Sequence, residues 1–353
     1  MPVGRGRVVH RLDGWQGVSN MGRMSGVRHN RQREPGGVRQ FRTDGFWSSW
    51  VLGGLLVLGL LGARTALGQE LSPRAYWPAP VGTQLFFAGY GYQTGDIVTN
   101  AALPIVDVDS RIHRLGLGYQ KTLSLWGRTS NLRVEAPWVD GTTKGAVEGE
   151  PGRRDVSGLG DLSMTLSVNL LGAPAMSPGE YQAFRADPGP VVAASLKVLA
   201  PTGDYDEERL VNIGTNRWAA RARVGYIQPL PNRWMFELSV GTWFFQDNDE
   251  FLGETLQQDP LTAVDASLVH RFAPGFWASL DGTYYFGGRT EVENVGRADF
   301  QRNSRVGISL AYPFGPGHAL KGSYSVGVST NAGGEFDIFS LNYVYLLGAR
   351  KGG

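Results

Sequence analysis

The sequence predicts an all-β fold, a transmembrane antiparallel up-and-down β-barrel of about twelve strands and of the bacterial outer-membrane type. Three observations predict it. Apolar and polar residues alternate with period two along most of the chain after Gln69. Long and short connections alternate between those runs. An apolar run near the start, Trp50 to Leu61, is too short for a spanning helix, which needs about 20 residues.

That run is the first element. Arg39 and Arg42 precede it and Ala66-Leu67-Gly68 follows, so basic, apolar and small residues succeed one another as in a secretory signal cleaved near 68/69. A start at Met21 or Met24 accounts for the long Arg-rich stretch before it. Residues 1–68 are read as an N-terminal extension plus signal, and 69–83 as a periplasmic segment or short plug. The barrel is read over 84–347, with 348–353 as a tail.

The strands follow. In Leu162–Leu170, Leu162, Met164, Leu166, Val168 and Leu170 alternate with Ser163, Thr165, Ser167 and Asn169. Val306, Ile308, Leu310 and Tyr312 alternate with Gly307, Ser309 and Ala311. Such runs are strands with one apolar and one polar face. They fall near 84–93, 109–121, 129–139, 159–171, 191–199, 217–228, 234–246, 261–272, 276–286, 304–313, 319–330 and 337–347. Most reach the roughly 9–11 residues that a tilted membrane strand needs. The long connections, such as 140–158, 247–260 and 287–303, share one end, and short turns near 122–128, 229–233, 273–275 and 314–318 share the other. Tight periplasmic turns and longer outer loops give this order, which puts both barrel ends in the periplasm. The connection 172–190 is too long for a tight turn and has room for a short periplasmic helix.

Charge supports the same division. The net charge is +2, but residues 1–68 hold 10 Arg and 3 acidic residues. The rest has 24 basic and 29 acidic residues. The basic character belongs to the leader, which removes the main argument for nucleic-acid binding. The absence of Cys excludes disulfides, Cys-ligated zinc and a lipoprotein anchor.

Aromatics cluster near strand ends, among them Trp126, Trp138, Trp218, Trp234, Phe272, Tyr284, Phe286 and Tyr312. Two interfacial girdles explain them, and the core of a soluble sandwich is the competing explanation. The other face carries charge: Arg114, Arg133, Glu135, Lys197, Arg221, Arg223, Glu237, Asp265, Arg271, Asp281, Arg305 and Lys321. A charge in lipid costs about 2–4 kcal/mol at the midplane, so these side chains are expected to face the lumen. Trp243, Phe245, Trp277 and Tyr285 share that register. The charges form either a salt-bridge network that keeps the interior wet or a permeation path, and the two are compatible. Asn212–Trp218 folds inward as a constriction on this reading, with Arg217 at its edge.

Motifs then match a known family in chain order: Asn169-Leu170-Leu171-Gly172-Ala173-Pro174-Ala175, Pro201-Thr202-Gly203-Asp204-Tyr205-Asp206, Val211-Asn212-Ile213-Gly214-Thr215-Asn216-Arg217-Trp218, Trp243-Phe244-Phe245-Gln246-Asp247-Asn248, Gln258-Asp259-Pro260-Leu261, Leu280-Asp281-Gly282-Thr283-Tyr284-Tyr285-Phe286-Gly287-Gly288 and Asn303-Ser304-Arg305. From about Ala75 to Tyr345 the chain resembles the outer-membrane transporter family labelled "MetA-pathway of phenol degradation". The resemblance implies a channel for diffusion-driven uptake of small hydrophobic or aromatic compounds, in the outer membrane of a Gram-negative bacterium after export. It implies no catalytic residue to carry over and fixes no substrate. A structural or adhesive barrel with a plugged lumen is the alternative. The expected partners are outer-membrane lipid and lipopolysaccharide, the barrel-assembly machinery and a small-molecule solute. One departure is visible: the last aromatic, Tyr345, is followed by Leu346-Leu347 and a polar tail.

No enzyme, cofactor or metal site is expected. His113, His270 and His318 have no metal-ligand spacing. Ser267 and His270 are three apart and point to opposite faces of a strand, which rules against a Ser–His pair. No phosphate loop or dinucleotide fingerprint appears. The acidic outer loops around Asp204–Glu208 and Asp247–Glu254 lack EF-hand spacing and read as solvated rather than calcium-binding.

Overall fold

The computed structural model describes residues 73–97, 105–147, 149–332 and 335–347. The expected export signal and C-terminal tail lie outside them. Among the described residues no helix is long and apolar enough to cross a membrane. Strands do the crossing.

Seventeen strands are numbered in chain order: β1 (Gln84–Gly95), β2 (Ile105–Leu125), β3 (Arg128–Val147), β4 (Glu150–Leu159), β5 (Ser163–Leu171), β6 (Val191–Leu199), β7 (Ala219–Pro229), β8 (Trp234–Phe245), β9 (Asn248–Phe251), β10 (Glu254–Gln258), β11 (Leu261–Ala273), β12 (Phe276–Gly287), β13 (Thr290–Val292), β14 (Val295–Gly296), β15 (Gln301–Gly315), β16 (His318–Ser329) and β17 (Phe336–Leu346). One helix, α1 (Pro178–Ala186), occupies the connection between β5 and β6. Twelve of the strands pair antiparallel in a ring, and β1 closes it on β17. Closure leaves no open sheet edge, which is what lets a sheet cross lipid.

The faces of the wall are plain in β12. Leu280, Tyr284 and Phe286 are exposed, while Trp277, Ser279, Asp281, Thr283 and Tyr285 on the other face are buried. In β15, Val306, Ile308, Leu310 and Tyr312 point out. The exposed face is therefore the apolar one, the reverse of a soluble barrel. Aromatics bound this band at both ends. Phe272, Phe276 and Tyr312 follow one another near the tight turns, with centroids 4.7 and 5.4 Å apart, the second pair edge to face. Tyr284, Phe286 and Phe244 lie toward the long loops. This is the girdle arrangement of membrane barrels rather than the core of a sandwich.

Three expected loops contain strands. The connection 140–158 is a hairpin, because β3 continues to Val147 and pairs with β4 from Trp138↔Leu159 to Val147↔Glu150. The connections 247–260 and 287–303 contain β9, β10, β13 and β14, a separate sheet over the outer end. Beyond the lipid band both strand faces meet polar surroundings, so pairing continues while the alternation that signals it fades. At the opposite end the connection 172–190 holds α1. Pro178 opens the helix, and Ser177 and Glu180 form its capping box. The Ser177 N–H donates to Glu180 Oε2 at 2.8 Å. That bond holds the exposed Glu180 carboxyl below its usual pKa.

Candidate functional site

The interior is built in layers along the shared register of β8, β11, β12 and β15. Counting from the tight-turn end, Arg271 and Trp277 face one another, with Ala311 and Lys321 beside them. Met235, Val269, Ser279 and Ser309 come next, and then Glu237, Ser267 and Asp281. Above these lie Ser239, Asp265, Thr283 and Arg305, then Ala263, Tyr285 and Asn303. Trp243 and Leu261 complete the stack. Arg221 and Arg223 enter from β7, opposite Trp243 and Gly241. Arg114, Arg133, Glu135 and Lys197 alternate with lipid-facing Leu115, Val134 and Leu196, so they too point inward. Arg217, just before β7, is buried beneath the outer sheet and beside Phe245.

The tight-turn end is sealed. Residues 73–83 enter the barrel ahead of β1. Tyr76 is 7 % exposed and its hydroxyl hydrogen-bonds Ser195 Oγ at 2.8 Å. Asn169 Nδ2 donates to the Tyr76 carbonyl at 3.2 Å. The Arg74 N–H donates to Glu237 Oε2 at 2.7 Å, and its guanidinium lies 4.8 Å from the Trp77 ring and 5.5 Å from the Trp277 ring. Gly225 makes room for this segment, since a Cβ there would stand 2.3 Å from the Tyr76 ring. Tyr76 packs with Met176, Val191, Ile227, Met235 and Val269, and Trp77, Tyr181 and Phe184 close over them. Apolar side chains on the inner wall at this depth have no use in a wet channel. They are explained by the segment they bury.

Above the seal lies a charged belt. Glu135 takes Arg133 at 2.6 Å and Lys197 at 3.3 Å. Arg223 Nη2 donates to Asp265 Oδ2 at 2.8 Å, and Thr283 Oγ1 donates to Asp265 Oδ1 at 2.9 Å. Arg305 donates to the carbonyls of Ser325 and Phe336, each at 3.1 Å. Asp281, 3 % exposed, accepts from Ser279 and Ser309 through Oδ2. Its Oδ1 has no hydrogen-bond partner among the described residues. The salt-bridge network expected from sequence is thus present in part, as separate pairs and triads, and it leaves polar atoms unused.

Higher still is an aromatic shelf. The rings of Trp243 and Phe245 stack at 6.4 Å and 17°. Arg221 lies 5.0 Å over Trp243, and Arg217 lies 4.7 Å over Phe245. Leu261, Ala263 and Tyr285 form the apolar cluster beneath them. Arg217 also donates to Gln258. Burial lowers the Arg217 pKa to about 10, which leaves it charged at neutral pH. Within Asn212–Trp218, Arg217 is thus buried against Phe245, whereas Trp218 is exposed.

The outer sheet closes the top over a cluster of Ile105, Val108, Val211, Phe251, Leu256 and Val292. Asp161, between β4 and β5, ties the loops beneath it. It accepts from the Gly203 and Thr215 N–H groups at 2.9 and 3.0 Å and from the Thr215 hydroxyl at 2.6 Å. Asp204 Oδ2 accepts from the Leu159 N–H at 2.9 Å. The acidic motif after Pro201 is thus partly structural, not only solvated as its composition implied. No group of three or more His, Asp or Glu residues able to hold a metal occurs among the described residues.

Tyr76, Met235 and Asp161 belong to this interior but were not singled out from sequence, and Asn303 was marked only as part of a family motif. Tyr76 sits between Pro73 and Pro78 in a stretch without alternation, so no periodic signal marks it. The others look like ordinary polar or apolar positions of a strand or its edge.

A closed barrel with an outward apolar band, aromatic girdles and a charged interior defines a transmembrane β-barrel of the bacterial outer-membrane type. The chain belongs to the family described as "Putative MetA-pathway of phenol degradation", whose model matches residues 91–343. Among solved structures it is similar to an outer-membrane channel from Pseudomonas putida F1, at 18% identity and a TM-score of 0.65, covering 79% of this chain and 100% of that one. The β domain of a Bordetella autotransporter aligns at 14% identity and a TM-score of 0.42, over 76% of this chain and 100% of that one. The CymD monoaromatic hydrocarbon channel aligns at 9% identity and 0.39, over 82% and 96%. No curated protein matches the chain.

Proposed function

We propose that the protein is an outer-membrane channel for the diffusion of small hydrophobic or aromatic solutes, and that it reaches that membrane by signal-directed export. One observation carries the substrate class. Between the outer sheet and the charged belt, the Trp243–Phe245 shelf and buried Tyr285 present aromatic faces, with Arg217 and Arg221 laid over two of them. Aromatic faces stack on aromatic solutes, and guanidinium groups hydrogen-bond hydroxyl or carboxylate substituents. The family description, which ties its members to phenol degradation, agrees with that class. The solute candidates are Trp243, Phe245, Tyr285, Arg217 and Arg221. The deeper charges keep the path hydrated.

Planar-bilayer recordings test the assignment. Arg217→Ala removes the buried charge beside Phe245 and is expected to reduce anion selectivity. Trp243→Ala is expected to weaken block of the current by added aromatic solute. Unchanged current, selectivity and block in both variants would sink the assignment. The alternative, a structural barrel with a plugged lumen, draws on the apolar seal around Tyr76. It requires that the wild-type protein carry no solute.

A further inference from the structure

The wall formed by β2, β3 and β4 rises beyond the lipid band, and its outward face changes chemistry there. β2 has 21 residues and β3 has 20, about twice what crossing requires. The upper edge of the band is the rung Tyr90–Leu115–Trp138–Leu159, in which Leu115, Trp138 and Leu159 are exposed. The next rung outward on the same face is Tyr92–His113–Asp140–Ser157. Arg111–Thr142–Asp155 follows, and then Asp109–Lys144–Arg153. Six residues at about 3.4 Å each, tilted by about 40°, raise the last rung roughly 15 Å above the band. The headgroup layer spans about 5–7 Å on each side of the hydrocarbon, so the lowest of these rungs lies within it and the higher ones face the groups that project from it.

These rungs are concave. Arg111, His113, Lys144 and Arg153 line a cleft of about 230 Å³ together with Asp109 and Asp140. Arg153 is engaged with Asp155 at 2.8 Å, and Asp155 also accepts from the Thr142 hydroxyl. The His113 ring is fixed against Tyr90, with Nδ1 2.8 Å from the Tyr90 hydroxyl. Arg111 and Lys144 form no ion pair among the described residues. The cleft thus offers two uncommitted cations, with carboxylates beside them, facing sideways at the headgroup level and above rather than into the lumen. Phosphates bridged by divalent ions present both signs of charge, which this mixed surface complements.

We propose that this cleft is a binding site for the phosphorylated headgroup of lipopolysaccharide, with Arg111 and Lys144 on its phosphates and Arg153, held by Asp155, at their side. The site is separate from the lumen and does not depend on what the channel carries.

The test uses the full barrel refolded in detergent. Binding of lipopolysaccharide is followed by native mass spectrometry and by protection against thermal unfolding. Binding that falls by about tenfold or more when the lipopolysaccharide is enzymatically dephosphorylated is expected. The variant Arg111→Ala/Lys144→Ala/Arg153→Ala, its fold checked by heat-modifiable mobility on gels, is expected to show the same loss with intact lipopolysaccharide. Equal binding of intact and dephosphorylated lipid overturns the proposal, and that comparison needs no variant to fold. Full binding by the folded triple variant overturns the location. Equal protection by millimolar inorganic phosphate alone overturns the lipid source and reduces the cleft to a small-anion site.

Discussion

At the scale of single residues, neighbours in sequence have opposite tasks. Leu280 is 62 % exposed to the lipid side, and Asp281, one position on, is 3 % exposed inside the barrel. Placing an arginine at Leu280 puts its charge near the middle of the band. Leu280→Arg is expected to cost about 2–4 kcal/mol in reversible urea unfolding from lipid vesicles. Unchanged stability would mean that this face does not meet lipid. This parity was legible in the sequence because membrane and lumen make opposite demands on alternate residues, and one apolar strand face fixes the other. Arg223 and Asp265 could be placed inside in this way, but their 2.8 Å contact could not, since it depends on which strands pair and at what register. Tyr76 could be placed only within a segment read as periplasmic or as a short plug. Its position rests on Gly225, Ser195 and Asn169, which lie on other strands and have no sequence relation to it.

At the scale of elements, two segments that are not wall strands decide whether the barrel is open. Residues 73–83 and α1 fill the tight-turn end. They are joined by the Trp77 Nε1 to Tyr181 hydroxyl bond at 3.2 Å and by the Val81 N–H to Met176 carbonyl bond at 2.8 Å. Tyr76→Ala removes the bond to Ser195 and one buried ring of the seal. Single-channel conductance is expected to rise severalfold while the barrel remains folded, because the ring closure of twelve strands does not involve Tyr76. Conductance equal to wild type would show that the seal lies elsewhere. The helix was anticipated from the length of its connection, and Ser177, Pro178 and Glu180 mark its start. β4 and the outer sheet were not anticipated. Lys144, Thr142 and Asp140 face outward above the apolar band, where polar side chains replace apolar ones, so a paired strand reads as a loop.

At the scale of the whole molecule, the barrel is a wall with two closures and a polar interior between them. The apolar seal lies below, the outer sheet lies above, and the charged belt and aromatic shelf lie between. Twelve strands and the class of barrel followed from the sequence, because connection lengths alternate as one chain crosses a membrane back and forth. Of the closures, the N-terminal segment was left between a periplasmic segment and a short plug, and the outer sheet was not read, because its strands come from segments distant in sequence. The central claim is that the barrel carries small aromatic solutes. It is tested most directly by flux of an aromatic carboxylate, which crosses bare lipid slowly, into proteoliposomes of refolded protein. Wild-type vesicles are predicted to fill faster than protein-free ones, and Trp243→Ala vesicles are predicted to fill at a rate that no longer saturates over the same concentration range. Filling of wild-type vesicles at the protein-free rate, with the barrel shown to be folded, would contradict the claim.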